Sequence, residues 1–157
     1  MQLHLLITGK TADPAVNAIV LDFAKRIPHY YPFELEIIDS NPGKTQDRDK
    51  MKSAEGDQML KRFKPGDYIV LLDERGKQWS STEFADAITN WANQSKKRIV
   101  FVIGGAFGFS DVVKQKSDIQ LSLSKMTFSH QIVRALFLEQ LYRACTIIRG
   151  EPYHHRG

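Results

Sequence analysis

Short apolar runs alternate along the chain with longer segments in which apolar residues recur at helical spacing. Two of the runs are apolar on both faces, which is typical of strands buried inside a sheet. The predicted strands cover residues 3–8, 33–39, 67–73, 98–105 and 119–124. The predicted helices cover residues 13–27, a polar segment ending near 63, residues 80–95, a short segment starting near 110, and residues 129–149.

This alternation of strands and helices predicts a parallel sheet with helices on both faces. Two helix starts carry clear signals. Asp13 precedes Pro14, and Ser80 stands three residues before Glu83, the spacing of a capping box. Polar residues 74–77, which follow the most apolar strand, are predicted to form a turn.

The chain length suits one domain, since 157 residues suffice for one hydrophobic core. We find no repeat and no internal linker, and therefore expect a single α/β domain over residues 1–157. With 42% hydrophobic and 25% charged residues, the composition is that of a folded, water-soluble protein. The net charge of +4 is compatible with a polyanionic partner but does not require one.

The single cysteine, Cys145, excludes an internal disulfide and fits a reducing compartment. It lies on the apolar face of the last predicted helix, so we interpret it as a small core residue and not as a nucleophile. The first residues lack the basic start and long apolar segment of a signal peptide. No run approaches the roughly 18 apolar residues that span a membrane. We therefore expect a cytoplasmic protein without a membrane partner.

Ligands of open α/β sheets bind beyond the carboxyl ends of the strands. Leu72 and Gly104 stand at two such ends, and Gly104 begins the segment "GGAFG". Glycines there permit close approach of the backbone to a ligand. The spacing matches neither the dinucleotide-binding fingerprint nor the phosphate-binding P-loop. A tight strand-to-helix turn therefore remains an alternative interpretation of this segment.

A polar loop follows the last predicted strand. Its hydroxyl and amine groups surround two apolar side chains, Met126 and Phe128; they belong to Ser122, Ser124, Lys125, Thr127 and Ser129. Capping the following helix requires only one hydroxyl, from Thr127 or Ser129, and this simple role remains an alternative. The surplus of polar groups beside apolar ones suits a ligand that has both a ring and hydrogen-bonding edges.

The end of the chain is basic and aromatic. From residue 125 onward, five basic residues, including Arg143 and Arg156, oppose two acidic ones. Tyr153 and His154 follow the last helix, and an aromatic ring among cations can stack on a base and hold phosphates. A solvated, frayed terminus remains an alternative. His154 and the histidine after it have no third ligand at a suitable spacing, so we expect no metal.

The segments "FVIGGAFG", "LSLSKMTFSHQIVRALFLEQLYRA" and "EPYHHR", in this order and at these separations, resemble the ribosomal large subunit methyltransferase H family. The opening "LLITGK" and the mid-chain "LLDERGKQWSSTEFA" extend the likeness over essentially the whole chain. The glycine segment is weakly specific, whereas the "SLSKMTF" loop followed by "EQLYRA" and "PYH" is highly specific. Members of this family are small SPOUT-class enzymes that methylate N3 of a pseudouridine in large-subunit rRNA.

The resemblance implies an α/β sheet with a deep C-terminal trefoil knot, an exception to the usual rule against knots. It implies S-adenosylmethionine (S-adenosyl-L-methionine) as the cofactor, bound in the knot. The residues that it assigns to the cofactor pocket are Leu72, Gly104, Leu123, Ser124, Lys125, Met126, Thr127 and Phe128.

The resemblance also implies a homodimer whose active site uses both subunits and acts on rRNA in the ribosome. Arg143, Tyr153 and His154 are then expected to meet the target base from the partner's side. Our hypothesis is that Arg143 or His154 stabilises the developing negative charge on the base or relays its proton. His130 is interpreted as a structural residue near the cofactor loop and not as a base.

The chain departs from the family pattern at two positions. Relatives commonly have proline where this chain has Ser129, and an acidic or polar residue where it has Phe107. The second change is expected to alter how the target base packs. Two other classes of protein remain open, a non-catalytic RNA-binding assembly factor and a flavodoxin-like nucleotide binder.

Overall fold

The computed structural model describes residues 1–155, so Arg156 of the basic terminus lies outside the described residues. The strands are β1 (Gln2–Thr8), β2 (Phe33–Ile38), β3 (Tyr68–Gln78), β4 (Arg98–Ile103) and β5 (Ile119–Ser122). The α-helices are α1 (Pro14–Arg26), α2 (Arg48–Leu60), α3 (Ser81–Asn93), α4 (Asp111–Lys116) and α5 (Ile132–Ile148), and a 3-10 helix covers Ile27–His29.

The strands form one sheet in the order β2-β1-β4-β3-β5, and all four pairings are parallel. Helices α1, α3 and α5 cover one face, where side chains such as Leu5, Phe101 and Phe137 form the larger core. Helices α2 and α4 cover the other face, around Met59 and Val113. The predicted parallel α/β fold is confirmed. The trefoil knot is not visible from the strand order and stays an expectation from the family resemblance.

Local signals in the sequence explain where several helices begin. The Asp13 carboxylate accepts hydrogen bonds from two backbone N–H groups of the first turn of α1. Ser80 and Glu83 form the predicted capping box at the start of α3, with Ser80 N–H 2.7 Å from the Glu83 carboxylate. Asp47 caps the polar helix α2 in the same way as Asp13 caps α1.

The turn predicted at residues 74–77 is wrong, because β3 continues through this segment to Gln78. Leu72 and Lys77 both pair with Leu121 of β5, so the residues between them form a bulge in the strand. A Cβ atom on Gly76 would lie 2.5 Å from the backbone carbon and oxygen of Gln120. A side chain at this position would collide with β5, so glycine is required where β3 approaches β5 after the bulge.

The last helix begins at Ile132, three residues later than predicted, because residues 130–131 form a turn. Ser129 nevertheless assists this start, since its Oγ accepts a hydrogen bond of 3.1 Å from Ile132 N–H. Three predicted strands also end earlier than expected, at Ile38, Ile103 and Ser122. No helix within residues 1–155 is both long and apolar enough to cross a membrane.

The fully buried Arg134 connects the start of α5 to the end of β1. Its guanidinium donates to the backbone oxygens of Thr8 and Gly9, each at 2.7 Å, and to Thr11 Oγ1 at 3.0 Å. Burial lowers the pKa of Arg134 to about 10, which leaves it charged at neutral pH. This contact fixes α5 against the carboxyl edge of the sheet.

Candidate functional site

A cavity of about 330 Å³ opens at the carboxyl edge of the sheet. Its floor is a row of neighbouring strand residues, with Leu72 of β3 paired to Ile103 of β4 on one side and to Leu121 of β5 on the other. The glycine segment 104–108 and the loop 123–128 form its walls. This is the position at which parallel α/β sheets bind ligands.

Seven of the eight residues expected in the cofactor pocket line this one cavity: Leu72, Gly104, Leu123, Ser124, Met126, Thr127 and Phe128. Lys125 is exposed and does not line the cavity in the described part of the chain. The binding roles of all eight residues stay predictions.

The hydroxyls of the loop 122–128 mainly shape the loop itself. Ser122 Oγ donates to the backbone oxygen of Ser124 at 2.8 Å, and Ser124 Oγ accepts from Met126 N–H at 2.9 Å. Thr127 Oγ1 donates to Glu74 in the bulge of β3 at 2.6 Å. The loop is therefore held in an irregular form that leaves Met126 77% exposed and Phe128 37% exposed beside the cavity. These apolar surfaces can pack on a planar ring.

The glycine segment is both a tight turn and a wall of the cavity. Gly108 N–H donates to Gly105 O at 3.2 Å, and Gly108 has a positive φ of 79°. The Phe109 ring lies 3.1 Å from the place where a Cβ of Gly104 would stand. The segment can therefore be a strand-to-helix turn and part of a ligand site at once, and these are the two interpretations that the sequence left open.

A buried carboxyl group lies against the glycine segment. Glu55 of α2 is 3% exposed, and its Oε2 lies 2.9 Å from the place of a Cβ on Gly105. Burial, together with the negative charge of Asp39, raises the pKa of Glu55 to about 7. Part of the Glu55 population therefore carries a proton at neutral pH, which removes the cost of burying a charge.

Arg143 of α5 binds both residues that were predicted to act with it. Its Nη1 lies 3.1 Å from His154 Nδ1, and its carbon Cζ lies 4.8 Å from the centre of the Tyr153 ring. Glu139 accepts from Arg143 Nη2 at 2.6 Å and from the Tyr153 hydroxyl at 3.0 Å. We call Glu139, Arg143, Tyr153 and His154 the terminal cluster. Burial and the bond to Glu139 raise the pKa of Tyr153, so its hydroxyl stays protonated.

The terminal cluster and the first cavity are separate within one chain. Arg143, Tyr153 and His154 do not line that cavity in the part of the chain that the structure describes. A second cavity of about 330 Å³ lies between the two regions. Glu139 lines the second cavity, and Leu123 and Phe128 line both cavities.

Two residues weighed from the sequence have environments that limit their chemistry. His130 lines the first cavity, and burial together with the charge of Arg134 lowers its pKa. Its imidazole is therefore neutral at physiological pH. Cys145 is fully buried, and burial raises the pKa of its thiol to about 12. The interpretation of Cys145 as an inert core residue is confirmed.

Sequence reasoning missed the basic residues at the mouth of the first cavity. Lys52 of α2 and Lys114 of α4 line it, and Arg48 of α2 covers the Phe107 ring with its Cζ 4.8 Å from the ring centre. No spacing between residues in the sequence indicates that α2 and α4 lie near the strand ends. Only the packing of α2 against α4 brings the three cations together.

A different group of side chains lies near the amino end of the sheet. His4 of β1 is 2% exposed; its Nε2 lies 3.0 Å from Glu36, and its Nδ1 lies 3.6 Å from Glu34. Three potential ligand atoms here lie within 4.8 Å of one another, but Arg62 already binds Glu36 at 2.9 Å. The expectation that the protein holds no metal stays a prediction.

The fold and the position of the cavity are those of α/β proteins that bind ligands at the carboxyl edge of a parallel sheet. The family model described as "Predicted SPOUT methyltransferase" matches residues 1–154, and the chain belongs to this family. The family named from the sequence motifs is thereby confirmed.

Similar proteins cover the whole length of the chain. Over 157 residues it is 48% identical to a protein of Christiangramia forsetii named ribosomal RNA large subunit methyltransferase H, covering 99% of this chain and 100% of that protein. Proteins of the same name from Bacteroides thetaiotaomicron and Parabacteroides distasonis are 45% and 44% identical over 156 residues, with 99% of both chains covered in each case.

Proposed function

We propose that this protein transfers a methyl group from S-adenosylmethionine to N3 of a pseudouridine in large-subunit rRNA. The names of its relatives support the RNA class, and the family supports methyl transfer. The nucleoside position, the assembled ribosome as substrate and the cytoplasmic location follow from the family resemblance of the motifs. We further propose that the protein acts as one domain over residues 1–157 and needs no metal.

One observation mainly supports the proposal: seven of the eight predicted cofactor residues line the same cavity. The lining of the cavity suits S-adenosylmethionine. Met126 and Phe128 offer apolar surfaces for the ring of the cofactor, and the backbone of the loop offers hydrogen bonds to the edges of that ring. Lys125 does not line this cavity, so its part in binding the cofactor rests on the family resemblance alone. S-adenosylmethionine supplies a methyl group on a sulfonium, which leaves as a neutral thioether.

The terminal cluster has the chemistry to assist the target base. N3 of pseudouridine carries a proton, which must be lost before or during its attack on the methyl carbon. Arg143 can only donate hydrogen bonds, so His154 Nδ1 accepts and the ring proton of neutral His154 is on Nε2. Both residues therefore present donors, which stabilise negative charge developing on the carbonyl oxygens of the base. In this account His154 is not the proton acceptor.

The separation of the terminal cluster from the first cavity supports a homodimer. Two copies related by a twofold axis can place the cluster of one subunit at the cofactor cavity of the other. Tyr153, whose ring packs against Arg143, then contributes an aromatic surface to the shared site.

Calorimetric titration of the purified full-length protein with S-adenosylmethionine tests the cofactor assignment. We expect one saturable site per chain, and Met126→Asp should weaken it because a carboxylate replaces the apolar surface. Absence of binding to the wild type would contradict the proposal and favour an RNA-binding assembly factor without turnover.

A further inference from the structure

Phe107 is an exposed aromatic side chain at the mouth of the first cavity. It is 39% exposed even though Arg48 lies over its ring at 4.8 Å. The ring lines the cavity from the glycine segment. An accessible aromatic ring can stack on a nucleobase, and a cation beside it can hold a phosphate.

Lys52 and Lys114 line the same mouth. Together with Arg48 and Phe107 they form what we call the basic rim. None of these three cations forms an ion pair within residues 1–155. Elsewhere in that range, four arginines are paired with carboxylates: Arg26, Arg62, Arg98 and Arg143. The cations of the basic rim are therefore available to phosphates.

Acidic groups limit the direction from which an anionic strand can approach. Asp73, Glu74 and Arg75 also line the cavity, on the bulge of β3, and give this side a net charge of −1 against the +3 of the basic rim. Asp73 accepts a hydrogen bond from Arg75 N–H, and Glu74 accepts from Thr127. We therefore expect a negatively charged RNA strand to approach from the side of α2 and α4, where the basic rim lies, and not from the side of β3.

We propose that the basic rim binds the RNA strand next to the target nucleotide, with a neighbouring base stacked on Phe107 and phosphates on Arg48, Lys52 and Lys114. This inference rests on the proposed function and adds a substrate-binding surface beyond the residues assigned to the cofactor and to the terminal cluster. Stacking is tolerant of base identity, so Phe107 contributes affinity and placement more than base selection.

The test uses the full-length protein and ribosomes lacking the modification, with cosedimentation for binding and labelled methyl transfer for turnover. Phe107→Ala should weaken ribosome binding by roughly five- to a hundredfold, the range of base–aromatic stacking. Phe107→Trp should bind within about twofold of wild type, because it keeps a stacking ring. The affinity of Phe107→Ala for S-adenosylmethionine is measured in parallel and should fall much less than ribosome binding, although Phe107 lines the first cavity.

The charge contacts have their own signature. Arg48→Ala, Lys52→Ala and Lys114→Ala should each reduce the slope of log affinity against log salt by roughly 0.7 to 0.9, the contribution of one phosphate contact. Lys97→Ala is the matched control, because this exposed lysine precedes β4 at the opposite edge of the sheet and should leave the slope unchanged.

Two results would overturn the inference. One is ribosome binding by Phe107→Ala equal to wild type, with salt slopes of the three charge variants equal to that of Lys97→Ala. The other is a loss of S-adenosylmethionine affinity in Phe107→Ala that accounts for its whole defect. A wild type that binds ribosomes but transfers no methyl group contradicts the proposed function alone, because cosedimentation still measures the basic rim.

Discussion

Arg143 Nη1 and His154 Nδ1 lie 3.1 Å apart, so a residue in α5 holds a residue of the C-terminal segment through a side-chain hydrogen bond. Because arginine only donates, this contact selects the His154 tautomer with its proton on Nε2. The same arginine binds Glu139 at 2.6 Å. The C-terminal segment is therefore fixed on α5 and presents donor groups.

Arg143→Ala and His154→Ala should each lower turnover, by about a hundredfold or more for Arg143, because donors aimed at developing charge are lost. Affinity for S-adenosylmethionine should stay unchanged, since neither residue lines the first cavity. Single-turnover methyl transfer and calorimetry measure the two quantities. Arg26→Ala is the matched control, because Arg26 also pairs with a carboxylate four residues away, at 2.9 Å. If both variants kept full turnover, neither Arg143 nor His154 would take part in the mechanism.

Mixing subunits tests whether the site is shared. Arg143→Ala lacks the terminal donors, and Met126→Asp is defective in the cofactor cavity. If each site uses the cavity of one subunit and the cluster of the other, mixed dimers contain one intact site and regain part of the activity. Activity that stays absent after verified subunit exchange would place both groups of residues in the same subunit.

Glu55→Gln should make stability less dependent on pH. The pKa of Glu55 is raised to about 7 by burial and by Asp39, so the folded state binds the proton more tightly than the unfolded state. This contribution is fully present below the unfolded pKa near 4.5 and is lost as pH rises through about 7. Glutamine keeps the shape and carries no charge.

The stability gain of Glu55→Gln over wild type should therefore grow from near zero at low pH to on the order of 2–3 kcal/mol above neutral pH. Urea unfolding at several pH values measures it. A difference between the two proteins that does not change between acidic and alkaline pH would mean that the pKa of Glu55 is the same in the folded and the unfolded protein.

Gly76→Ala should destabilise the protein by roughly 1–3 kcal/mol, the usual cost of overpacking. Its Cβ would lie 2.5 Å from the Gln120 carbonyl, and backbone in β5 cannot move aside as a side-chain end can. Since β5 leads into the loop 122–128, affinity for S-adenosylmethionine should fall as well. Gly43→Ala is the control, because its Cβ would meet only Ala54, at 3.9 Å. Equal melting temperatures for the two variants would contradict this account of the bulge.

Arg134→Met should cost about 3 kcal/mol of unfolding free energy, because several buried carbonyl oxygens lose their donor together. Arg134 is fully buried and donates to the backbone of Thr8, Gly9 and His130. Arg149→Met removes an exposed arginine that donates to one carbonyl, and should cost no more than about 0.5 kcal/mol. Chemical denaturation compares them, and similar losses would show that the Arg134 contacts are not what fixes α5.

Patterns that depend on near neighbours allowed most of the fold to be predicted. Alternating apolar runs located the five strands, and short caps such as Ser80 with Glu83 located helix starts. The polar sequence of residues 74–77 indicated a turn, yet β3 continues there, because its pairing with β5 resumes at Lys77 after the bulge. Such pairing involves residues distant in sequence, so local propensity does not reveal it.

The grouping of Leu72, Gly104 and the loop 123–128 around one cavity was predictable, because these residues lie at strand ends and in one contiguous loop. The hydroxyls of that loop have a different main role from the one expected, since Ser122 and Ser124 bind loop backbone and Thr127 binds Glu74. The basic rim was not predictable, because α2 and α4 carry its cations and only the tertiary packing of these helices places them at the cavity.

The most direct test of the central claim is transfer of labelled methyl from S-adenosylmethionine to ribosomes that lack the modification, followed by nucleoside analysis. We expect label in N3-methylpseudouridine of the large-subunit rRNA, and label formed about a hundredfold or more slowly with Arg143→Ala. Absence of label on ribosomes from a protein that binds the cofactor would contradict the assignment of the substrate.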